Sequence, residues 1–218
     1  PRNDGYYDFY LFGSGKMKDY LDSTSPLIVD GYNSRVKNLY LSDGVTSIGN
    51  YAFYNCSSLT SVEIPDGVTS IGVSAFSGCT LLTSVSIGDN VTSLGNSAFS
   101  GCSALTSITI PDSVASIEEF SFSACGKLTD ITIGSGVTNI GRYAFSGTGA
   151  ANDADNWIDK VLYIDGCLIE ARTTVAGNCE ILPGTRLIAN SAFYILPSLT
   201  GIVIPGSVTS IGAFAFFG

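Results

Sequence analysis

Residues 59–81, which read LTSVEIPDGVTSIGVSAFSGCTL, contain two kinds of apolar spacing. Val62 and Ile64 alternate with polar neighbours, which is typical of a strand with one buried face. Val68 and Ile71 are β-branched and lie three residues apart, so they predict a second, shorter extended segment on an opposite wall. The stretch that follows is too short for a stable helix, and a single helical or 3₁₀ turn is predicted there.

This pattern recurs along the chain with a fixed period. An Ala-Phe pair, or Ser-Phe in one copy, marks each copy, and its phenylalanines are 23 residues apart with one gap of 48: Phe53, Phe76, Phe99, Phe122, Phe145, Phe193 and Phe216. A fixed period in this range indicates a solenoid. Because one copy cannot bury its own apolar face, the copies must stack and pair equivalent strands in parallel. We therefore predict a mainly β solenoid with a parallel sheet and short helical or 3₁₀ turns.

Turn residues separate the segments within each copy. Asp66-Gly67 lies between the two strands and is typical of a turn. Gly72, Gly95 and Gly141 follow the second segment, where we expect a positive φ that glycine adopts without strain.

The full pattern, L-x-x-V-x-I-P-x-x-V-x-x-I-G-x-x-A-F-x-x-C, closely resembles the BspA-type leucine-rich repeat over about residues 36 to 218. The segment 12–20, FGSGKMKDY, also resembles the N-terminal cap of that family. The resemblance implies a curved, right-handed leucine-rich-repeat solenoid on a secreted or cell-surface protein. It further implies adhesion to host proteins or to other cells, and it transfers no residue-level site.

Composition excludes several classes of function. The formal net charge is −9, so nucleic acid is not expected as a partner. No run approaches the ~20 apolar residues of a membrane span, so direct membrane insertion is not expected either. The sequence has no histidine, which removes the usual general base and the commonest zinc ligand. We accordingly expect no catalytic activity, no cofactor and no metal site.

Four of the six cysteines occupy one repeat position: Cys56, Cys79, Cys102 and Cys125. Stacked equivalent positions point their Cβ atoms in parallel, which is poor disulfide geometry, so a buried column of small apolar side chains is the preferred interpretation. Thr148 and Leu196 fill the same position in other copies, so size matters there more than sulfur. Cys167 and Cys179 lie elsewhere, and a bond between them remains the alternative.

The chain divides into four parts within one solenoid domain. Residues 1–35 are an N-terminal cap, 36–147 regular repeats, 148–182 an irregular island, and 183–218 further repeats. The aromatic run in the cap covers the first coil or, alternatively, forms a ligand platform. The last copy stops in mid-unit with several phenylalanines, which predicts a longer natural protein or an end-to-end contact between chains.

The island contains a predicted β-hairpin. Val161–Ile164 and Cys167–Ala171 read as strands, and Asp165-Gly166 between them is a hairpin turn signal. The register of this hairpin against the repeats does not follow from the sequence. Insertions in solenoids often lie on the binding face, but a hairpin that seals a defect in the core is the competing interpretation.

The outward positions of the main strands carry mostly serine and threonine, with few anchors for a ligand. The candidate ligand-binding residues are therefore the few larger ones on this wall and in the island: Tyr40, Glu63, Trp157, Tyr163 and Arg172. The hypothesis is a protein- or glycan-binding module. A structural spacer in a larger surface protein is one alternative. A glycoside hydrolase using two carboxylates is a remote one, with Glu170 and Glu180 as the conceivable pair.

Overall fold

The computed structural model describes residues 4–21, 25, 27 and 30–218. Its principal wall is built from one strand per coil. A four-stranded parallel sheet contains β1 (Tyr7–Leu11), β3 (Val36–Leu41), β5 (Ser61–Ile64) and β7 (Ser84–Ile87), and a two-stranded parallel sheet contains β9 (Ser107–Ile110) and β11 (Asp130–Ile133). Residues 23 apart face one another, as Val62 and Val85 do, so the predicted stacking of equivalent positions is confirmed.

A second wall runs opposite the first and is made of shorter strands. It is a six-stranded parallel sheet of β2 (Gly15–Lys16), β4 (Val45–Ile48), β6 (Ser70–Ile71), β8 (Ser93–Leu94), β10 (Ser116–Ile117) and β12 (Asn139–Ile140). A 3₁₀ turn, Asn33–Arg35, precedes β3. The fold is the predicted one, a mainly β solenoid with coils of 23 residues.

A column of phenylalanine rings fills the space between the walls. The rings of Phe53, Phe76, Phe99, Phe122 and Phe145 stack with successive centroid distances of 5.2, 5.3, 5.5 and 5.6 Å. At the N-terminal end the Phe9 ring packs against that of Phe53 in a T-shaped contact, so β1 covers the first coil with its inner side chains. Tyr10 and Phe12 of the same segment are exposed, which leaves the outer side chains of the cap free for contact.

The cysteines of the repeat form a buried column beside the rings. All six cysteines are buried and free, which agrees with the preferred interpretation. The thiol of Cys102 donates to the carbonyl oxygen of Phe76 at 3.3 Å, and Cys125 donates likewise to Phe99 at 3.1 Å. These two thiols therefore also link their coils to neighbouring ones.

Threonine hydroxyls join the coils on the outside. Thr92 donates to the carbonyl oxygen of Thr69 at 3.0 Å, and Thr69 donates to that of Thr46 at 3.1 Å. The same bond recurs from Thr83 to Thr60 at 3.0 Å. Short polar side chains therefore serve to join neighbouring coils on a surface that has few charged groups.

The expected positive φ at Gly72, Gly95 and Gly141 is wrong. These glycines are required by close approach, because a Cβ on Gly95 would lie 2.6 Å from the carbonyl carbon of Gly72 in the neighbouring coil. The left-handed position comes two residues later and is held by non-glycine residues, among them Ser74 (φ 52°) and Ser97 (φ 56°).

The island interrupts the column. It contains a short α-helix (Gly149–Asn152), a 3₁₀ turn (Ala154–Asn156), β13 (Trp157–Ile158), β14 (Val161–Ile164) and β15 (Cys167–Ala171). The predicted hairpin is present: β14 and β15 are antiparallel, and Asp165 and Gly166 between them have φ values of 45° and 69°. The turn fits the left-handed geometry that Asp-Gly favours.

Beyond the island the repeats resume. A five-stranded sheet contains β13, β14, β15, β17 (Leu187–Ile188) and β19 (Ser210–Ile211), and a two-stranded sheet contains β16 (Gly177–Glu180) and β18 (Leu199–Val203). β15 pairs in parallel with β17, with Cys167 opposite Leu187, so the return strand of the hairpin occupies the second wall.

The hairpin separates two parts of the core and packs against both. Leu162, Ile164 and Ile169 join the core of the first coils, whereas Val161 and Leu168 join a second core around Phe193. Phe193 stacks on Phe216 at 5.4 Å. The hairpin thus takes the place of one coil, and it buries side chains on both of its faces.

Two side chains connect the later repeats directly to the coils that precede the island, which we call the first block. The Arg186 guanidinium donates to the carbonyl oxygens of Ile133 and Gly134 at 2.8 and 3.2 Å. Asp165 in the hairpin turn accepts from the backbone N–H of Ile133 at 2.6 Å.

Candidate functional site

The N-terminal end of the principal wall carries a group of exposed aromatic rings, which we call the aromatic row: Tyr10, Phe12 and Tyr40. The Tyr10 and Tyr40 rings stack at 4.6 Å with planes 11° apart, and Tyr10 stacks with Phe12 at 5.9 Å. Exposed fractions are 52% for Tyr10, 82% for Phe12 and 48% for Tyr40. Because Tyr10 and Tyr40 stack at about the spacing of neighbouring strands, their rings project from the wall with the ring planes roughly perpendicular to the solenoid axis.

The second face of Tyr40 is turned toward the next strand, where Glu63 lies. Asn38 is in register with Ser61, so Tyr40 and Glu63, two residues further on, occupy equivalent positions. A depression of about 300 Å³ next to them is lined by both side chains and by Asp43. The structure thus brings two of the predicted site residues, Tyr40 and Glu63, together.

Further along the wall the outward positions are small, as predicted. Ser86, Thr109 and Thr132 are all exposed and follow Glu63 at the same position of successive coils. This stretch offers hydroxyl groups and no large side chain to anchor a ligand.

Trp157 and Arg172, two further predicted site residues, are in contact at the base of the hairpin. The Arg172 Cζ lies 4.3 Å from the centroid of the Trp157 ring, a cation–π contact. The Trp157 indole N–H donates to the carbonyl oxygen of Ala151 at 2.8 Å and the ring packs partly against the first core. Trp157 therefore holds Arg172 in place while it contributes to the fold.

Tyr163, the last predicted site residue, lies apart from both groups. It is half-buried on β14 against the second core, and its hydroxyl accepts a hydrogen bond from the backbone N–H of Leu182 at 3.4 Å. Burial raises the pKa of Tyr163 above its usual value. Its position is that of a packing residue between the hairpin and the following coil.

A cleft of about 520 Å³ opens where the first block, the hairpin and the resumed repeats meet. We call it the junction cleft. It is lined by residues from all three parts: Arg142, Tyr143, Ile169, Glu170, Ala171, Arg172, Thr173, Thr174, Asn190, Ser191, Ala192 and Tyr194. Arg172 is the predicted site residue that belongs to it.

Arg142 is fixed in the junction cleft by two aromatic rings. Its Cζ lies 4.5 Å from the ring centroid of Tyr143 and 4.6 Å from that of Tyr194. Sequence reasoning missed these three residues. The available signal was a change of pattern, since Tyr143 and Tyr194 occupy rim positions that hold serine in the coils of Phe76 and Phe99.

Glu170 adds a carboxyl group to the same cleft. Burial raises its pKa above the usual value, and the neighbouring Arg172 counteracts the rise. Glu180, the other acid considered for hydrolysis, lines a different cleft together with Asp159 and Lys160. The two carboxyl groups therefore do not face one substrate site.

The described residues contain neither a candidate metal site nor a candidate membrane-spanning helix. Within the described ranges, no group of three or more His, Cys, Asp or Glu residues is placed to hold a metal ion. In the same part of the chain, no helix has the length and apolarity needed to cross a membrane.

Stacked coils of 23 residues, two parallel walls and a hydroxyl-rich outer face define a leucine-rich-repeat solenoid. The family model described as BspA type Leucine rich repeat region matches six copies, over residues 32–151 and 178–218. The chain therefore belongs to the BspA-type leucine-rich-repeat family, as its repeat pattern indicated.

Solved structures of bacterial proteins share the fold. A leucine-rich repeat protein from Eubacterium ventriosum is 24% identical, with a TM-score of 0.52 over all of this chain and 60% of its own. The T. pallidum Leucine Rich Repeat protein is 28% identical, with a TM-score of 0.52 over 81% of this chain and 72% of its own. This chain thus spans less than two thirds of the Eubacterium chain. The search of curated proteins found no match.

Proposed function

We propose that this chain is a non-catalytic binding module of a cell-surface or secreted protein, and that it binds a protein or glycan of a host or neighbouring cell. The observation that carries the proposal is the aromatic row. The Tyr10 ring stacks with those of Phe12 and Tyr40, and all three rings are exposed at one end of a wall whose outward side chains are mostly short hydroxyl groups. Exposed aromatic groups of this kind are typical of interaction sites, where tyrosine contributes large contact area.

The depression beside Tyr40 gives the row a polar neighbour. Glu63 and Asp43 line it together with the Tyr40 ring, so hydroxyl or amide donors of a ligand find acceptors next to an apolar face. Membership of the BspA-type family supports the surface location.

The test is a binding screen of the 218-residue chain against immobilised matrix proteins and an array of glycans. For each ligand that binds, the double variant Tyr10→Ser, Tyr40→Ser is compared with the matched wall variant Ser86→Ala, Thr109→Ala. We expect the first to lose about tenfold or more in affinity, as hot-spot residues do, and the second to bind as the parent chain does. Full binding by the Tyr10, Tyr40 variant would contradict the assignment of this site.

A spacer function is the second candidate, and the regular hydroxyl wall between Ser86 and Thr132 favours it. A solenoid of stacked coils sets a fixed distance between its ends whether or not it binds a ligand. A screen in which the parent chain binds none of the ligands would support the spacer.

A further inference from the structure

The junction cleft is lined by two guanidinium groups and one carboxyl group, that of Glu170, so its basic groups are in excess. Among the described arginines, Arg35 donates to the carbonyl oxygen of Gly5, and Arg186 donates to three carbonyl oxygens of the first block. The guanidinium groups of Arg142 and Arg172 have no hydrogen-bond or ion-pair partner among the described residues, and both residues line this cleft. In a chain with 19 acidic and 10 basic residues, two such groups in one cleft point to an anionic ligand.

Both guanidinium groups are held in place before a ligand arrives. Arg142 lies against Tyr143 and Tyr194, and Arg172 lies against Trp157. An arginine that is already stacked loses less conformational entropy when it binds, and its planar donors match a carboxylate in pairs. The arrangement therefore favours a planar carboxylate over a diffuse negative surface.

The other residues of the junction cleft indicate which kind of ligand carries the carboxylate. Thr173, Thr174, Asn190 and Ser191 offer hydroxyl and amide groups, and Glu170 offers an acceptor. Such a lining suits a ligand with several hydroxyl groups of its own. The volume, about 520 Å³, lies in the range of small-molecule sites and is large enough for one or two sugar rings.

A peptide is a poorer fit to the same cleft. Extended peptides commonly bind by adding a strand to a free sheet edge. β15 pairs with β14 on one side, and on the other side β17 pairs with Cys167 and Leu168. Beyond that pairing, the backbone N–H of Ala171 donates to the carbonyl oxygen of Ala192 at 2.7 Å. Little of the β15 edge is therefore left for an added strand.

We propose that the junction cleft binds an acidic sugar residue of a glycan, with Arg142 and Arg172 holding its carboxylate. Thr173, Thr174 and Asn190 bind the hydroxyl groups of the sugar. The inference rests on the proposed binding function and specifies one ligand class for a site separate from the aromatic row.

The only tryptophan of the chain, Trp157, reports on this site, because its ring touches Arg172. The probes are a hyaluronan tetrasaccharide, which carries glucuronate, sialyllactose, which carries sialate, and lactose as the uncharged control. We expect a saturable change in Trp157 fluorescence with one or both acidic probes and none with lactose. The two acidic arms distinguish glucuronate from sialate as the source of the carboxylate.

Variants assign the binding to the cleft. Arg142→Gln and Arg172→Gln should each weaken binding of the acidic probe by about tenfold, the loss of one charge-assisted hydrogen-bonded contact. Lys127→Gln removes the same charge from an exposed position outside the cleft and should change the affinity less than about twofold. If Arg142→Gln fails to fold, the parent chain still decides the question through its fluorescence response and its discrimination against lactose.

Three outcomes would overturn the inference: equal binding of lactose and the acidic sugars, an equal effect of Lys127→Gln and Arg142→Gln, or stronger binding of a hexaglutamate peptide than of either sugar. A chain that binds other ligands through the aromatic row but fails these tests keeps its proposed function and loses only this site. Loss of all binding would instead contradict the proposed function.

Discussion

At the scale of single residues, the buried thiols combine a packing role with chemical inertness. Burial raises the pKa of Cys56 to about 12 and that of Cys167 to about 11. The thiolate is the reactive form, so its population at pH 8 is negligible while the fold is intact.

This predicts that iodoacetamide at pH 8 leaves the folded chain unmodified, whereas all six cysteines react in denaturant. Mass spectrometry of the labelled chain gives the count. Rapid labelling of any cysteine under native conditions would show that its coil opens readily or that its thiol is accessible.

Glu170 provides a pH test of the junction cleft. Its pKa is raised in the folded chain, chiefly by burial, so ionisation destabilises the fold as the pH rises through the folded-state pKa. Glu170→Gln removes that cost, although it also removes an attraction to Arg172. We expect the variant to be more stable than the parent near pH 7 and the difference to shrink below about pH 4, where the glutamate is protonated in both states. Thermal unfolding across this range measures it, with exposed Glu119→Gln as the control that should change little.

At the scale of the repeated element, close contact between coils sets a strict requirement at one glycine. A Cβ on Gly95 would lie within 2.8 Å of three backbone atoms in the neighbouring coil, and backbone cannot move aside as a side chain can. Gly95→Ala should therefore cost about 1–3 kcal/mol, as overpacking does. The matched variant Gly126→Ala meets nothing within 4 Å and should be neutral or slightly stabilising. Chemical denaturation compares the two, and equal midpoints would contradict the role assigned to Gly95.

The ring column carries much of the stability of each coil. Phe99 is fully buried between Phe76 and Phe122, so Phe99→Ala should cost about 3–5 kcal/mol. Ser86 on the outer wall is exposed, and Ser86→Ala should change stability by less than about 0.5 kcal/mol. A denaturation experiment in which the serine variant lost more would mean that the inward and outward positions had been exchanged.

The regular coils could be predicted from the sequence because each side chain meets its own equivalent 23 positions away. Val62 faces Val85, and Phe76 lies on Phe99, so the period alone specifies the partner. The island has no second copy. The pairing of Cys167 with Leu187 is therefore set by the length of the hairpin and its packing, which no period reveals.

The junction cleft could not be predicted from the sequence for the same reason. Arg142 and Tyr194 are distant in sequence and belong to repeats on opposite sides of the hairpin. They meet only because the hairpin takes the place of one coil. The Tyr40–Glu63 pair, in contrast, lies within the regular coils and could be found from the sequence.

At the scale of the whole molecule, the hairpin divides the core into two parts that depend on different faces of one strand. Leu168 belongs to the core around Phe193, and the adjacent Ile169 belongs to the core of the first coils. Leu168→Ala should reduce hydrogen-exchange protection mainly in β16 to β19, and Ile169→Ala mainly in the coils up to β12. Amide exchange followed by mass spectrometry resolves the two regions. An identical loss across the whole chain from both variants would show that the solenoid unfolds as one unit.

The number of regular coils between the aromatic row and the junction cleft sets the distance between these two surfaces. Gaining or losing one coil moves these two surfaces by one strand spacing, about 4.8 Å, and leaves the chemistry of each unchanged. For a long polymeric ligand, simultaneous attachment at both surfaces depends on whether that step matches the distance between its epitopes. Duplication or deletion of coils would then alter avidity for such a polymer without altering any residue that touches it.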